Sequence, residues 1–144
     1  MYRLILFSLL FSFLYQTHLQ AQTECGTTSL QQLIAKACLA QSSGYRLTHD
    51  LICSKLDDGY HKFYTLTLRG GTNYMIFAAC DGDCDDIDLF IYDENDNLIA
   101  KDPDLDDDPV ITVTPSWTGS FRLKVAMPGC TVDPCRFGVM IFGK

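Results

Sequence analysis

Asp81, Asp83, Asp85, Asp86 and Asp88 crowd into eight consecutive positions, broken only by Gly82, Cys84 and Ile87. Calcium takes about six to eight hard oxygen ligands, and carboxylates converging from one short segment supply both the charge and the geometry. A bond between Cys80 and Cys84 would hold that segment in shape, and Asp88 stands where a hydrophobic strand begins. Calcium is therefore the cofactor to expect here, with Asp81, Asp83, Asp85, Asp86 and Asp88 as its ligands. The pattern is not an EF-hand, because Asp86 stands where that loop needs glycine. A second such start, Asp93-x-Asn95-x-Asn97, fails in the same way at Leu98. The cluster belongs to a longer run, residues 81–108, which holds thirteen of the chain's eighteen acidic residues and one base, Lys101. The competing reading of this run is a solvated acidic edge that keeps sheets from pairing between molecules. Residues 94–97 read as a hairpin turn. Residues 102–108 read as a solvated loop, kept irregular by Pro103 and Pro109.

Other chemistry is sparse. His49 and His61 are the histidines beyond the leader, and the adjacency of His49 to Asp50 says nothing about a triad, which is a spatial arrangement. No nucleophile elbow, zinc-protease motif or phosphate loop occurs, so no catalytic residue is assigned. A small secreted hydrolase working through paired carboxylates is the alternative from another class. Trp117, in Pro-Ser-Trp-Thr-Gly, is a candidate binding residue for a protein or glycan, or else a turn residue folded over the end of the domain.

Residues 1–21 form an export signal. Arg3 precedes the apolar run LILFSLLFSFL, and Ala21 closes Leu-Gln-Ala, a small-residue cleavage site. The apolar run is too short to span a bilayer, and no later segment is long enough. Without residues 1–21, ten basic residues face eighteen acidic ones, a net charge of −8. Such a surface repels nucleic acid and anionic membranes. A secreted or periplasmic location follows, with an extracellular protein or glycan as the ligand class.

All seven cysteines lie beyond the leader. In an exported chain they read as disulfides with one left over. Cys80 with Cys84, and Cys130 with Cys135, each span a turn-forming segment, so local closure is expected. A zinc site using those four is the rival. Cys25, Cys38 and Cys53 cannot all pair, and the spacing does not choose among them. The remaining thiol is expected to be buried or to link two molecules.

Two patterns divide the exported chain. In residues 22–58, a helix is expected over 29–41, where Leu30, Leu33, Ile34, Ala37 and Cys38 recur at helical spacing. Ser29 and Gln32 form a capping-box pattern, and Gly44 is the stop. In residues 59–144 the period becomes two. Strands are expected over 62–69, 73–79, 88–93, 98–100, 110–114, 120–126 and 136–142, separated by Gly, Pro, Asn and Asp. This spacing indicates a mainly β protein, an antiparallel β-sandwich.

The order of motifs adds a resemblance. Tyr64-Thr65-Leu66, Gly70-Gly71-Thr72-Asn73-Tyr74, Ile87-Asp88-Leu89-Phe90-Ile91-Tyr92-Asp93 and Thr118-Gly119-Ser120-Phe121 resemble the bacterial pre-peptidase C-terminal domain over residues 59–142. The resemblance implies a jelly-roll-like sandwich found in secreted bacterial proteins, usually appended to peptidases. It also implies a role in secretion or substrate binding, with calcium bound in some collagenase relatives. This chain lacks a peptidase domain, so a stand-alone, non-catalytic binding or structural module is implied, with a peptidase-associated or inhibitory subunit as the alternative.

Overall fold

The computed structural model describes residues 24–144; the export signal expected over residues 1–21 lies outside them. Among the described residues, the helix α1 (Thr27–Ser42) precedes nine strands. These are β1 (Arg46–Leu47), β2 (Ile52–Leu56), β3 (His61–Leu68), β4 (Tyr74–Cys80) and β5 (Cys84–Tyr92), then β6 (Leu98–Asp102), β7 (Val110–Val113), β8 (Gly119–Cys130) and β9 (Cys135–Gly143). One sheet runs β1-β9-β4-β7, with β2 also bonded to β9; the other runs β3-β8-β5-β6. Every pairing is antiparallel. The protein is the expected β-sandwich with an N-terminal helix.

The inward faces alternate as a two-residue period requires. Leu66 and Leu68, Ile87, Leu89 and Ile91, and Phe121, Leu123 and Val125 from one sheet meet Ile76, Ile111, Phe137, Val139 and Ile141 from the other. Strands β4 (YMIFAAC) and β9 (CRFGVMIFG) are apolar at nearly every position, and α1 is the reason. It covers the outer face of their sheet, where Leu33, Ala40 and Tyr45 pack with Phe77, Ala79 and Phe142. A strand buried on both faces loses its alternation.

The helix seats closely because its floor is nearly bare backbone. Gly138 pairs across the sheet with Ala79 and Cys53. A Cβ at Gly138 would collide with Leu33 Cδ1 and stand 2.9 Å from Cys25 Sγ. A Cys25–Cys53 disulfide fastens the start of this arm to β2.

Several expectations need correcting. The buried line on α1 is Ser29, Leu33 and Ala40, while Ile34 and Cys38 face solvent. The reading by apolarity favoured those larger groups over Ser29, whose small size suits the seam. Ser29 forms no capping box: Gly26 is the N-cap, and the Ser29 hydroxyl donates to the carbonyls of Cys25 and Gly26. The stop at Gly44 holds, with φ +87°, the Gly44 N–H on Gln41 O and the Tyr45 N–H on Ala40 O, a Schellman closure. Strands β1 and β2, within residues 22–58, were not anticipated. They extend the first sheet along β9, and they are short or polar on their exposed side.

Candidate functional site

Strand β5 starts at Cys84, earlier than residue 88, so the segment expected as a loop shrinks to Asp81-Gly82-Asp83. A Cys80–Cys84 disulfide closes that turn, and Cys130–Cys135 closes the β8–β9 turn beside it, with Cys84 and Cys130 opposite each other across the sheet. These bonds take up all four cysteines of the rival zinc reading. Cys38 is the free cysteine, and it is exposed on α1 rather than buried.

The five aspartates of the cluster divide. The Asp81 carboxylate accepts the Arg136 N–H at 2.9 Å through Oδ2, while Asp81 Oδ1 is buried without a partner. Asp83 and Asp85 are exposed. Asp86 and Asp88 are drawn in by irregularities in the β5–β8 ladder, where the register shifts twice between Cys84 and Asp88. Asp86 is buried, and the Oδ1 atoms of both Asp86 and Asp88 are buried with no hydrogen-bond partner.

Their surroundings are anionic. The segment after β6 comes back over β5, where Asp106 O accepts the Ile87 N–H at 3.0 Å. Burial first, and then the Asp106 carboxylate, raise the Asp86 pKa above its ordinary value, against a backbone hydrogen bond from Asp106. Asp88 is pushed up to about 6 by burial, then by Asp86, Asp102 and Asp106, with Lys124 opposing. Asp102 and Asp106 are therefore half-buried neighbours of the cluster, within a segment whose Asp104, Leu105 and Asp108 are exposed as a solvated loop requires. Sequence spacing missed them because eight residues of β5 and its turn lie between Asp88 and Asn97, and only the β5–β6 hairpin folds them back.

The donor type here suits a hard cation, since three buried carboxylate oxygens, Oδ1 of Asp81, Asp86 and Asp88, lack any donor. The spacing does not complete a coordination shell: among the described residues no three His, Cys, Asp or Glu side chains stand close enough to hold a metal. Asp93 is the contrasting case. Its carboxylate accepts the N–H groups of Asn95 (2.9 Å) and Asn97 (2.8 Å) and the Asn97 amide (2.9 Å). These bonds, the Asn97 side chain first, hold its pKa below the usual value. Residues 94–97 are thus the expected turn, with Asp96 at φ +65° and paired with Arg122.

Trp117 lies at the end away from the aspartates. It is 40% exposed, and its ring packs on Phe121 at 5.4 Å between centroids. Gly70 admits the Trp117 backbone, since a Cβ there would come within 2.9 Å of it.

No protein-family model matches this chain, and no curated protein matches it in sequence. Among solved structures it is similar to a periplasmic inhibitor of g-type lysozyme from Aeromonas hydrophila, with TM-score 0.50 and 9% identity, covering 66% of this chain and 85% of that one. It also aligns with the pre-peptidase C-terminal domain of a collagenase from Bacillus anthracis, with TM-score 0.46 and 16% identity, covering 64% of this chain and 87% of that one. At 9% identity, what this chain shares with the inhibitor is the fold.

Proposed function

We propose that the protein is an exported, non-catalytic binding module whose β5 end is stabilised by calcium. The observation that carries the calcium assignment is the pair of buried, unpartnered oxygens on Asp86 and Asp88. A bound cation would compensate both of these buried oxygens at neutral pH, where a proton is scarce. Asp86 and Asp88 would form the inner part of the site. Asp102 and Asp106 would be drawn in from the segment after β6, and Asp81, Asp83 and Asp85 add negative charge on the disulfide-closed turn.

Export is supported by the apolar leader and by three disulfides, which persist in oxidising compartments. A role in binding is supported by the fold neighbour, described as a periplasmic inhibitor of g-type lysozyme. Among the described residues, no helix is long and apolar enough to cross a membrane.

The test is thermal melting in chelator and in calcium. Extracellular calcium modules bind with Kd on the order of 1 mM, so about 10 mM calcium contributes ~1.4 kcal/mol and raises Tm by several degrees. An unchanged Tm in millimolar calcium removes the metal from the proposal.

A further inference from the structure

A second site lies at the other end of the sandwich. Strand β4 runs from Tyr74, beside a polar cavity of about 420 Å³, to Cys80 beside the aspartates. The cavity opens where the link after β1 meets the edge strand β3. Thr48, His49, Thr67, Arg69, Thr72, Tyr74 and Thr118 line it. In a chain of net charge −7, no residue lining this cavity is acidic.

The hydrogen-bond inventory shows what the cavity offers. The Arg69 side chain is exposed, and no described residue forms an ion pair or hydrogen bond with it. Tyr74 Oη accepts the Arg69 N–H at 2.9 Å, and Thr118 Oγ1 accepts the Gly70 N–H at 2.9 Å. Each of those oxygens has one lone pair engaged by backbone, and each hydroxyl hydrogen is left to donate. His49 is occupied by the protein itself. Its Nε2 lies 3.2 Å from Thr67 O and its Nδ1 2.9 Å from Thr48 Oγ1, whose hydroxyl donates to Ile141 O at 3.1 Å. The cavity therefore presents a guanidinium fork and directed O–H donors, with no anion of its own to satisfy them. A planar guanidinium recognises a carboxylate through two parallel hydrogen bonds. The remaining O–H donors of Tyr74 and Thr118 match a ligand that carries oxygens besides its carboxylate, and the volume is in the range of small-molecule sites.

We infer that this cavity binds a sugar acid, with Arg69 holding the carboxylate and Tyr74 and Thr118 donating to ligand oxygens. The site is independent of the calcium proposal. Titration calorimetry with D-glucuronate, D-glucose, acetate and inorganic phosphate tests it on the wild type, Arg69→Ala and Arg69→Gln. D-glucuronate should bind in the millimolar range, at least about tenfold tighter than D-glucose, acetate or phosphate. Both Arg69 variants should lose about tenfold or more for D-glucuronate while melting as the wild type does, because the side chain they remove has no partner among the described residues. Failure of D-glucuronate to bind at about 50 mM overturns the site. Equal binding of D-glucose overturns the role of the carboxylate, and equal binding of acetate or phosphate overturns the sugar. Unchanged affinity in the Arg69 variants overturns the location.

Discussion

Replacing Asp88 by Asn removes a strongly perturbed charge and should stabilise the protein when calcium is absent. The Asp88 pKa is about 6 in the folded state and 3.8 as the reference, because burial and the carboxylates of Asp86, Asp102 and Asp106 all disfavour its anion. The folded chain then holds this proton more tightly than the unfolded chain does. The associated stability is fully present below pH 3.8 and is lost as pH rises through about 6. Each pKa unit is worth about 1.4 kcal/mol, so the upper bound is about 3 kcal/mol, and partial solvent access reduces it to roughly 1–2 kcal/mol. Denaturant unfolding of wild type and Asp88→Asn, in chelator and with disulfides intact, should give matching stabilities near pH 3.5. At pH 8 the variant should be ahead by roughly 1–2 kcal/mol. The difference between the two proteins is the quantity to read, because Asp93, with its lowered pKa, contributes an opposite slope common to both. Calcium should then reverse the order, raising the wild type and leaving the variant behind. A variant that is no more stable than wild type at pH 8 in chelator would refute the claim that Asp88 is held as an unfavourable anion.

Two further outcomes follow from the packing of α1. Gly138→Ala places a methyl group against Leu33 and Cys25, and overpacking of this kind costs about 1–3 kcal/mol, seen as a lower denaturation midpoint; a change under about 0.5 kcal/mol would mean the helix is not seated there. Cys38 should react with a thiol reagent in the folded protein at one equivalent per chain, with no second equivalent released by denaturant, since the other six cysteines are paired.

The strands of the sandwich were readable because a half-buried strand shows its period. Thr65, Leu66, Thr67 and Leu68 alternate outward and inward, as do Phe121 through Met127. The helix register was half readable. Leu33 and Ala37 face the sheet as their spacing predicts, but the seam also takes in Ser29, where close approach of backbone selects a small residue that carries no hydrophobic signal. The acidic site was half readable. Asp86 and Asp88 lie in the dense cluster, but their desolvation depends on ladder irregularities in β5, and their partners Asp102 and Asp106 arrive through a hairpin. The polar cavity was invisible for the same reason. Its residues come from the β1–β2 link, β3, the β3–β4 link, β4 and the turn before β8, and only His49 and Arg69 stand out by type.

The placement of the two sites determines whether they communicate. Strand β4 separates them by its length of seven residues, about 20 Å at 3.3 Å per residue. The Debye length at physiological salt is about 8 Å, so the charge change on binding calcium is largely screened at Arg69. A mechanical route is closed as well. The strand is paired on both sides, with β9 along its whole length and with β7 over its first four residues, and its inner face is locked in the core. Coupling of two sites needs an element with two arrangements that both ligands bias. None of the hydrogen-bonded ladder between Tyr74 and Cys80 offers one. Affinity for D-glucuronate should therefore be the same in chelator and in calcium, within about twofold, at about 150 mM salt. A larger dependence on calcium would mean that the acidic end and the polar cavity are not held apart as a rigid strand requires, and that the β5 end rearranges through the core when the metal binds.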